Sequence, residues 1–279
     1  MKKLDEQSQK RKKAAVIATG WVGDTIACTA AATSLSEKGY EVTFFTRWPQ
    51  LIPILKNDSR FTVRLYWHLR ILLLIKPILN WYYDKVVEEP AKWSYKEPFT
   101  AEIRRIAGCA PIPEYQLFLS SEAAVLDTVH NPKPVLAISR DLYKRAYGRD
   151  IDKLVAQLQT LAEVCWVGLP PQKNSKHGKS SGLLDDAIKI SKSDIFMGPE
   201  GGLLWLAAGI SKPCIYFTEN IVEVAKQNKI SNLNHVLGSK NHFPEKAIYF
   251  ALPPDCSNEY VITFTKNVMD QLGLNYGKQ

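Results

Sequence analysis

The chain has 279 residues, of which 46% are hydrophobic and 23% charged, with 15 Gly and 16 Pro spread along it. That size and composition exclude a small stapled scaffold, a disordered chain and a collagenous one, and leave two compact domains or one large one. Lys and Arg total 36 against 28 Asp and Glu, a net charge of +8 that favours phosphate groups, nucleic acid or an anionic membrane surface as partners.

The first thirteen residues hold Lys2, Lys3, Lys10, Arg11, Lys12 and Lys13 against Asp5 and Glu6, the pattern of a solvated basic tail. No apolar stretch with a cleavage site follows it, and the 5 cysteines form no CxxC pair, so neither a secretory signal, a disulfide framework nor a zinc site is expected. A reducing, cytoplasmic location fits this usage. Residues 14–19 form a short apolar run, expected as a strand; Gly20 to Gly23 read as a turn, and Thr25 to Leu35 as a helix of small residues. Gly39 closes that helix, and residues 41–46 (EVTFFT) alternate as a second strand, completing a βαβ unit.

Residues 65–83 (LYWHLRILLLIKPILNWYY) are the most apolar stretch, but Arg70, Lys76 and Pro77 interrupt it, so it is not expected to span a bilayer. It reads either as core or as a patch lying on a membrane surface. Asn131 to Pro134 (NPKP) is the candidate linker, which divides the chain into 1–132, 133–254 and a C-terminal helix within 255–279 expected to pack back on the first domain. After the linker come a strand at 135–139, a basic loop to Arg149, a helix at 151–161 and a strand at 163–167 ending at Gly168. A helix at 183–191, a strand at 194–197, the loop GPEGG at 198–202, a helix at 203–209 and a strand at 213–217 complete the series. Such alternation predicts an α/β fold with parallel sheets.

Three segments carry candidate chemistry. In the first, Gly20 to Asp24 (GWVGD), glycines permit close approach of a ligand to a helix N-terminus. Its GxxG spacing disfavours an NAD fingerprint, while Arg47 at the end of the second strand leaves an NADP variant open. Asp24 is either an N-cap or a general base; the helix dipole would keep it ionised and so make it a weaker base. In the second segment, the N–H groups of Gly201, Gly202 and Leu203 form an anion site, and Glu200 suits a sugar hydroxyl or a cap. In the third, Ser139, Arg140, Lys144, Arg145 and Arg149 lie at the carboxyl edge of the second domain's first strand, where a diphosphate would bind; Gly168 ends the next strand. Asp150 and Asp152 match a DxD metal pattern but sit where a helix begins, as caps do, so no metal is assigned. His68, His130, His177, His235 and His242 show no ligand spacing.

A strand leading into Gly23, Asp24 and Thr25, together with SDIFMGPEGGLLWLAAGISKPCIYF at 193–217, resembles glycosyltransferase family 9 and its ADP-heptose:lipopolysaccharide heptosyltransferases. The family's late motif reads ADxFxGxxxGxxHLAAAxxKPxxxxF, and Lys144, Arg145, Ala146 and Tyr147 look like its Lys-x-Trp-Pro element. Two positions depart: Pro199 to Gly202 stand where the family has Asn-Asp-Ser/Thr-Gly, and Trp205 where it has His.

The resemblance implies a GT-B architecture of two Rossmann-like domains facing a cleft, the first binding acceptor and the second a nucleotide-sugar donor, ADP-linked in the nearest members. It implies metal-independent, inverting transfer of heptose or another sugar to a cell-surface glycan or lipid-linked acceptor, as in lipopolysaccharide biosynthesis, with no cofactor and no nucleic acid. Asp24 matches the family's catalytic aspartate, Gly23 and Thr25 flank it on the acceptor side, and Lys144 matches the lysine on the donor phosphate. Peripheral contact with the cytoplasmic face of a membrane goes with such an acceptor. The other readings are an NADP-dependent reductase or epimerase, and a non-catalytic protein that holds a nucleotide or a partner in the same cleft.

Overall fold

The computed structural model describes residues 11–66, 69–91, 98–112, 114–119, 133–144, 148–168, 182–218 and 248–276. Arg145, the five histidines and the first two residues of the 131–134 linker lie outside them. The described residues form two parallel sheets flanked by helices. The first has four strands and the second five.

In the first sheet, β1 (Lys13–Ala18) pairs on one side with β2 (Glu41–Thr46) and on the other with β4 (Lys85–Glu88), while β3 (Phe61–Leu65) flanks β2. The central strand β1 is buried from Ala14 to Ala18, as a strand covered on both faces must be. Helix α1 (Val22–Glu37) starts three residues before the expected Thr25, so Gly23 and Asp24 belong to its first turn. Its residues from Thr25 to Leu35 are all buried, and this run of Ala, Thr and Ser lets other elements approach its axis closely. A short helix α2 (Ile52–Leu55) leads into β3, and α4 (Phe99–Ile106) packs on α1.

The apolar stretch folds as helix α3 (Leu69–Tyr82), with Pro77 inside it. One side is core, since Leu79 packs with Ile17 and Tyr66. The other faces solvent: Leu74, Ile78, Trp81 and Tyr82 are all exposed.

In the second sheet, β5 (Val135–Ser139) lies between β6 (Glu163–Val167) and β7 (Ile195–Pro199), and β8 (Cys214–Phe217) and β9 (Tyr249–Leu252) extend it. Helices α5 (Ile151–Leu158), α6 (Leu183–Lys192) and α7 (Gly202–Gly209) connect or flank these strands. The last helix, α8 (Asn258–Gln271), is capped by the Ser257 hydroxyl, which accepts the Tyr260 N–H. Its buried Val261, Val268 and Met269 join Leu154, Val155 and Leu158 of α5 in the core of the second sheet, because these two apolar stripes match.

The two halves meet through α1 and α7. Trp205 and Leu204 of α7 belong to the same core cluster as Ile26 and Ala30 of α1. Both sheets thereby aim strand ends and helix starts at one cavity.

Candidate active site

The cavity has a volume of 540 Å³ and is lined from the first half by Trp21, Gly23 and Asp24. From the second half come Ser139, Asp141, Lys144, Trp205 and the run Pro199 to Leu203. Asp24, Gly23, Ser139, Lys144, Glu200, Gly201, Gly202 and Leu203 of the expected site residues are thus brought together. Thr25, Arg140 and Gly168 do not line it.

Asp24 is the third residue of α1. Its Oδ2 accepts the backbone N–H of Trp21, the N-cap residue, at 2.9 Å. It therefore plays the reciprocal part of a capping box and is not the N-cap itself. The expected weaker base is corrected as well. Burial raises the Asp24 pKa above the ordinary aspartate range, outweighing the Trp21 hydrogen bond and the nearby Arg47 charge, which both lower it. Thr25 is fully buried inside α1, so it belongs to the core and not to an acceptor loop.

Glu89, just past β4, is a second carboxylate here that the sequence reading passed over. Its Oε2 accepts the backbone N–H groups of Thr19 at 2.7 Å and Gly20 at 2.8 Å, and so holds the turn between β1 and α1. Val87 is buried and two residues earlier, so strand alternation points Glu89 to the same inner face; that was the available signal. Burial, then the Asp24 charge, pushes the Glu89 pKa up against its two backbone hydrogen bonds. Gly20 is required between these carboxylates: a β-carbon would overlap Glu89 and stand 2.7 Å from Asp24 Oδ2.

Trp21 lines the cavity on this side, and Trp48 and Arg47 pack against it. The Trp48 indole N–H donates to the Gly20 carbonyl at 2.9 Å, and the two indoles stack with centroids 6.2 Å apart. The Arg47 guanidinium lies 4.8 Å from the Trp48 ring centre and 5.8 Å from that of Trp21. Trp21 is 73% exposed, leaving one face open beside Asp24.

On the opposite wall, β7 runs to Pro199, so the expected loop shrinks to Glu200 and Gly201 before α7 begins. The N–H groups of Gly201, Gly202 and Leu203 meet no backbone acceptor among the described residues and open onto the cavity. With the helix dipole behind them they suit an anion. Ser139 ends β5 and its hydroxyl accepts the Asp141 N–H at 3.2 Å. Lys144 Nζ pairs with Asp141 at 2.9 Å on the cavity wall. An exposed pair of this kind is weak enough for Lys144 to exchange its partner for a phosphate.

Arg140 and Arg149 of this loop have structural work. Arg140 donates to the Gly168 carbonyl and lies against Trp166; the Gly168 N–H goes to Asp186 at 3.0 Å. Arg149 donates to the carbonyls of Pro254 and Cys256 and lies over Phe217, so it holds the C-terminal segment instead of a diphosphate. Asp150 caps α5 through the Lys153 N–H, and Asp152 accepts the Tyr143 hydroxyl. Among the described residues no three His, Cys, Asp or Glu side chains gather as a metal-holding group.

No protein-family model and no curated protein matches the sequence. Solved structures do. The chain is similar to E. coli ADP-heptose LPS heptosyltransferase II, with a TM-score of 0.63 at 12% identity over 94% of this chain and 99% of that one. E. coli heptosyltransferase WaaC, solved with ADP-2-deoxy-2-fluoro heptose, gives 0.52 at 10% identity over 92% and 99%. The iron-containing dodecameric glycosyltransferase TibC of enterotoxigenic E. coli H10407 gives 0.55 at 14% identity; 75% of this chain is covered, and it spans 58% of TibC. These likenesses show the fold: two parallel-sheet α/β halves arranged as in the heptosyltransferases.

Proposed function

We propose that the chain is a glycosyltransferase that moves a sugar, heptose or another, from a nucleoside diphosphate donor to a glycan or lipid-linked acceptor. The observation that carries this reading is the opposition of Asp24 to the open N–H groups of Gly201, Gly202 and Leu203 across one cavity. A half-buried carboxylate with a raised pKa is a proton acceptor, and unpaired amides at a helix start receive negative charge; the transfer of a sugar from a diphosphate needs both.

In this reading residues 1–132 bind the acceptor and 133–254 the donor. Asp24 takes the proton from an acceptor hydroxyl as its oxygen attacks the anomeric carbon. The bond from that carbon to the diphosphate oxygen breaks, and the charge that develops there falls on the Gly201 to Leu203 amides and on Lys144. Ser139 and Glu200 border the donor, Glu200 toward a sugar hydroxyl, and Trp21 and Arg47 border the acceptor. One displacement, with base and leaving group on opposite walls, inverts the anomeric centre. The reaction is read as independent of metal, with ADP-linked donors the first class to try, as in the liganded WaaC structure. The protein is read as cytoplasmic and in peripheral contact with a membrane, where a lipid-linked acceptor would be found.

A thermal-shift panel of ADP, UDP, GDP, CMP and NADP tests this. One nucleoside diphosphate should raise the melting temperature, and Lys144→Ala should reduce the shift. A shift with NADP alone would replace transfer with reduction or epimerisation, and binding without turnover on any donor would leave a nucleotide-holding protein.

A further inference from the structure

The outer face of α3 is open to solvent. Leu74, Ile78 and Trp81 recur at helical spacing, with Tyr82 beside them, and they are 77%, 61%, 85% and 52% exposed. These positions form one continuous apolar stripe along the helix, ending in two aromatic rings. Exposed apolar patches of this kind mark an interaction surface.

The charge beside the stripe says which kind. Lys13, the first residue of β1, donates from Nζ to the Tyr82 hydroxyl at 2.5 Å and lies 4.2 Å from the centre of its ring. Its backbone N–H is held by Asp84 at 2.7 Å. The start of β1 is thus fastened to the aromatic end of α3. Arg11 and Lys12, both exposed, come immediately before it, and the sequence ahead of them adds Lys2, Lys3 and Lys10 against Asp5 and Glu6. Lys76 on α3 is paired with Glu88, while Arg11 and Lys12 stay exposed next to Lys13 at the Trp81–Tyr82 end, where Asp84 is the neighbouring acid.

We infer that this surface binds an anionic lipid bilayer: the Leu74, Ile78, Trp81 and Tyr82 face of α3 enters the interface while Arg11 and Lys12 meet the headgroups. An apolar helix face with interfacial aromatics supplies one signal and a basic cluster the other, and two together give stable but reversible attachment. No helix among the described residues is long and apolar enough to cross a membrane. The inference deepens the peripheral location proposed above, and it stands on α3 and the first strand, with no residue of the cavity involved.

Co-sedimentation of the full chain with vesicles tests it without donor, acceptor or turnover. Binding to vesicles of phosphatidylcholine with phosphatidylglycerol is expected to exceed binding to pure phosphatidylcholine by about tenfold or more, and to fall with added salt. Leu74→Ser combined with Trp81→Ser should lower it by about tenfold or more, and Arg11→Glu with Lys12→Glu should lower it comparably. All four side chains are exposed, so melting temperature and nucleotide-induced shifts should stay at the parent values. Equal binding by the Leu74, Trp81 variant would overturn the inference, as would equal binding to neutral vesicles or none to anionic ones. A self-associating chain that this variant converts to monomers, without vesicle binding, would also overturn it and assign the face to a second copy. Loss of nucleotide shifts with lipid binding intact would count against the transferase reading alone.

Discussion

Gly23 of α1 lies flat against the indole of Trp205 of α7: a β-carbon at position 23 would stand 2.8 Å from Trp205 Cδ1. The reciprocal contact is made by Gly202, whose β-carbon would stand 3.1 Å from Val22 Cγ1. The two helix starts that carry Asp24 and the open amides are therefore spaced by bare backbone meeting a side chain, once in each direction. Trp205 is held from behind by the Tyr115 hydroxyl, which donates to its carbonyl at 2.9 Å.

Gly23→Val should therefore widen the cavity and misplace Asp24. Overpacking costs about 1–3 kcal/mol, so a drop of several degrees in melting temperature is expected together with a large loss of transfer. Trp205→His, the residue found in the resembled family, removes bulk from the same contact; combined with Gly23→Ala it should recover stability lost in Gly23→Ala alone. Denaturant titration of the single and double variants measures the coupling.

Asp24→Asn should cost about 10²–10⁴-fold in kcat/KM, the usual worth of a general base. In the parent chain the rate should rise with pH through the raised Asp24 pKa and then level. A rate that falls over that range, or an unchanged rate in Asp24→Asn, would contradict the role given to it.

Glu89 separates shape from charge. Glu89→Gln keeps an acceptor for the Thr19 and Gly20 N–H groups, whereas Glu89→Ala orphans both, at about 1–3 kcal/mol each. Because the folded-state pKa of Glu89 is raised, its stabilising contribution is full at acid pH and is lost as pH rises through that pKa. Glu89→Gln should therefore melt higher than the parent at pH 7 to 8, with the difference shrinking toward pH 4, while Glu89→Ala melts lower throughout. Melting curves across that range decide it.

Lys144→Ala should weaken nucleoside diphosphate binding and slow transfer by about 10²-fold, in the range of a lost charge-stabilising donor. Arg149→Ala should instead lower the melting temperature and leave the nucleotide-induced shift nearly unchanged, because its guanidinium is committed to Pro254 and Cys256. Calorimetric titration of ADP or UDP into both variants distinguishes the two roles.

Trp21→Ala should raise the acceptor KM and leave donor binding in place, since the exposed indole lies on the Asp24 side of the cavity. A rise in donor Kd with no change toward acceptor would move this platform to the other substrate.

The strand, glycine turn and helix around Asp24 were legible because a short continuous apolar run gives way to Gly and then to small residues, and the run from Ile195 to Phe217 was legible for the same reason. The partial burial of Asp24 was not: a position in a first helical turn says nothing of what packs beside it, and Trp205, which meets the neighbouring Gly23, comes from far along the chain. Strands β3, β4 and β9 are short and carry Arg64, Lys85, Glu88 or Tyr249 among apolar residues, so their pattern is weak in isolation. Glu89 was hidden with β4. The cations of the 139–149 loop read alike in sequence, and only packing assigns Arg140 to Gly168 and Trp166, Arg149 to the C-terminal segment and Lys144 to the cavity.

The Arg149 guanidinium, seated on Phe217 and bonded to the carbonyls of Pro254 and Cys256, rivets the end of the donor loop to the lead-in of α8. Asn258 adds a second rivet, donating to the Asp150 carbonyl at 2.9 Å. Residues 149–150 and the lead-in of α8 are consequently tied at one corner, and a chimera that exchanges residues after Pro254 without the matching 149–150 corner should melt lower, however well its own α8 packs.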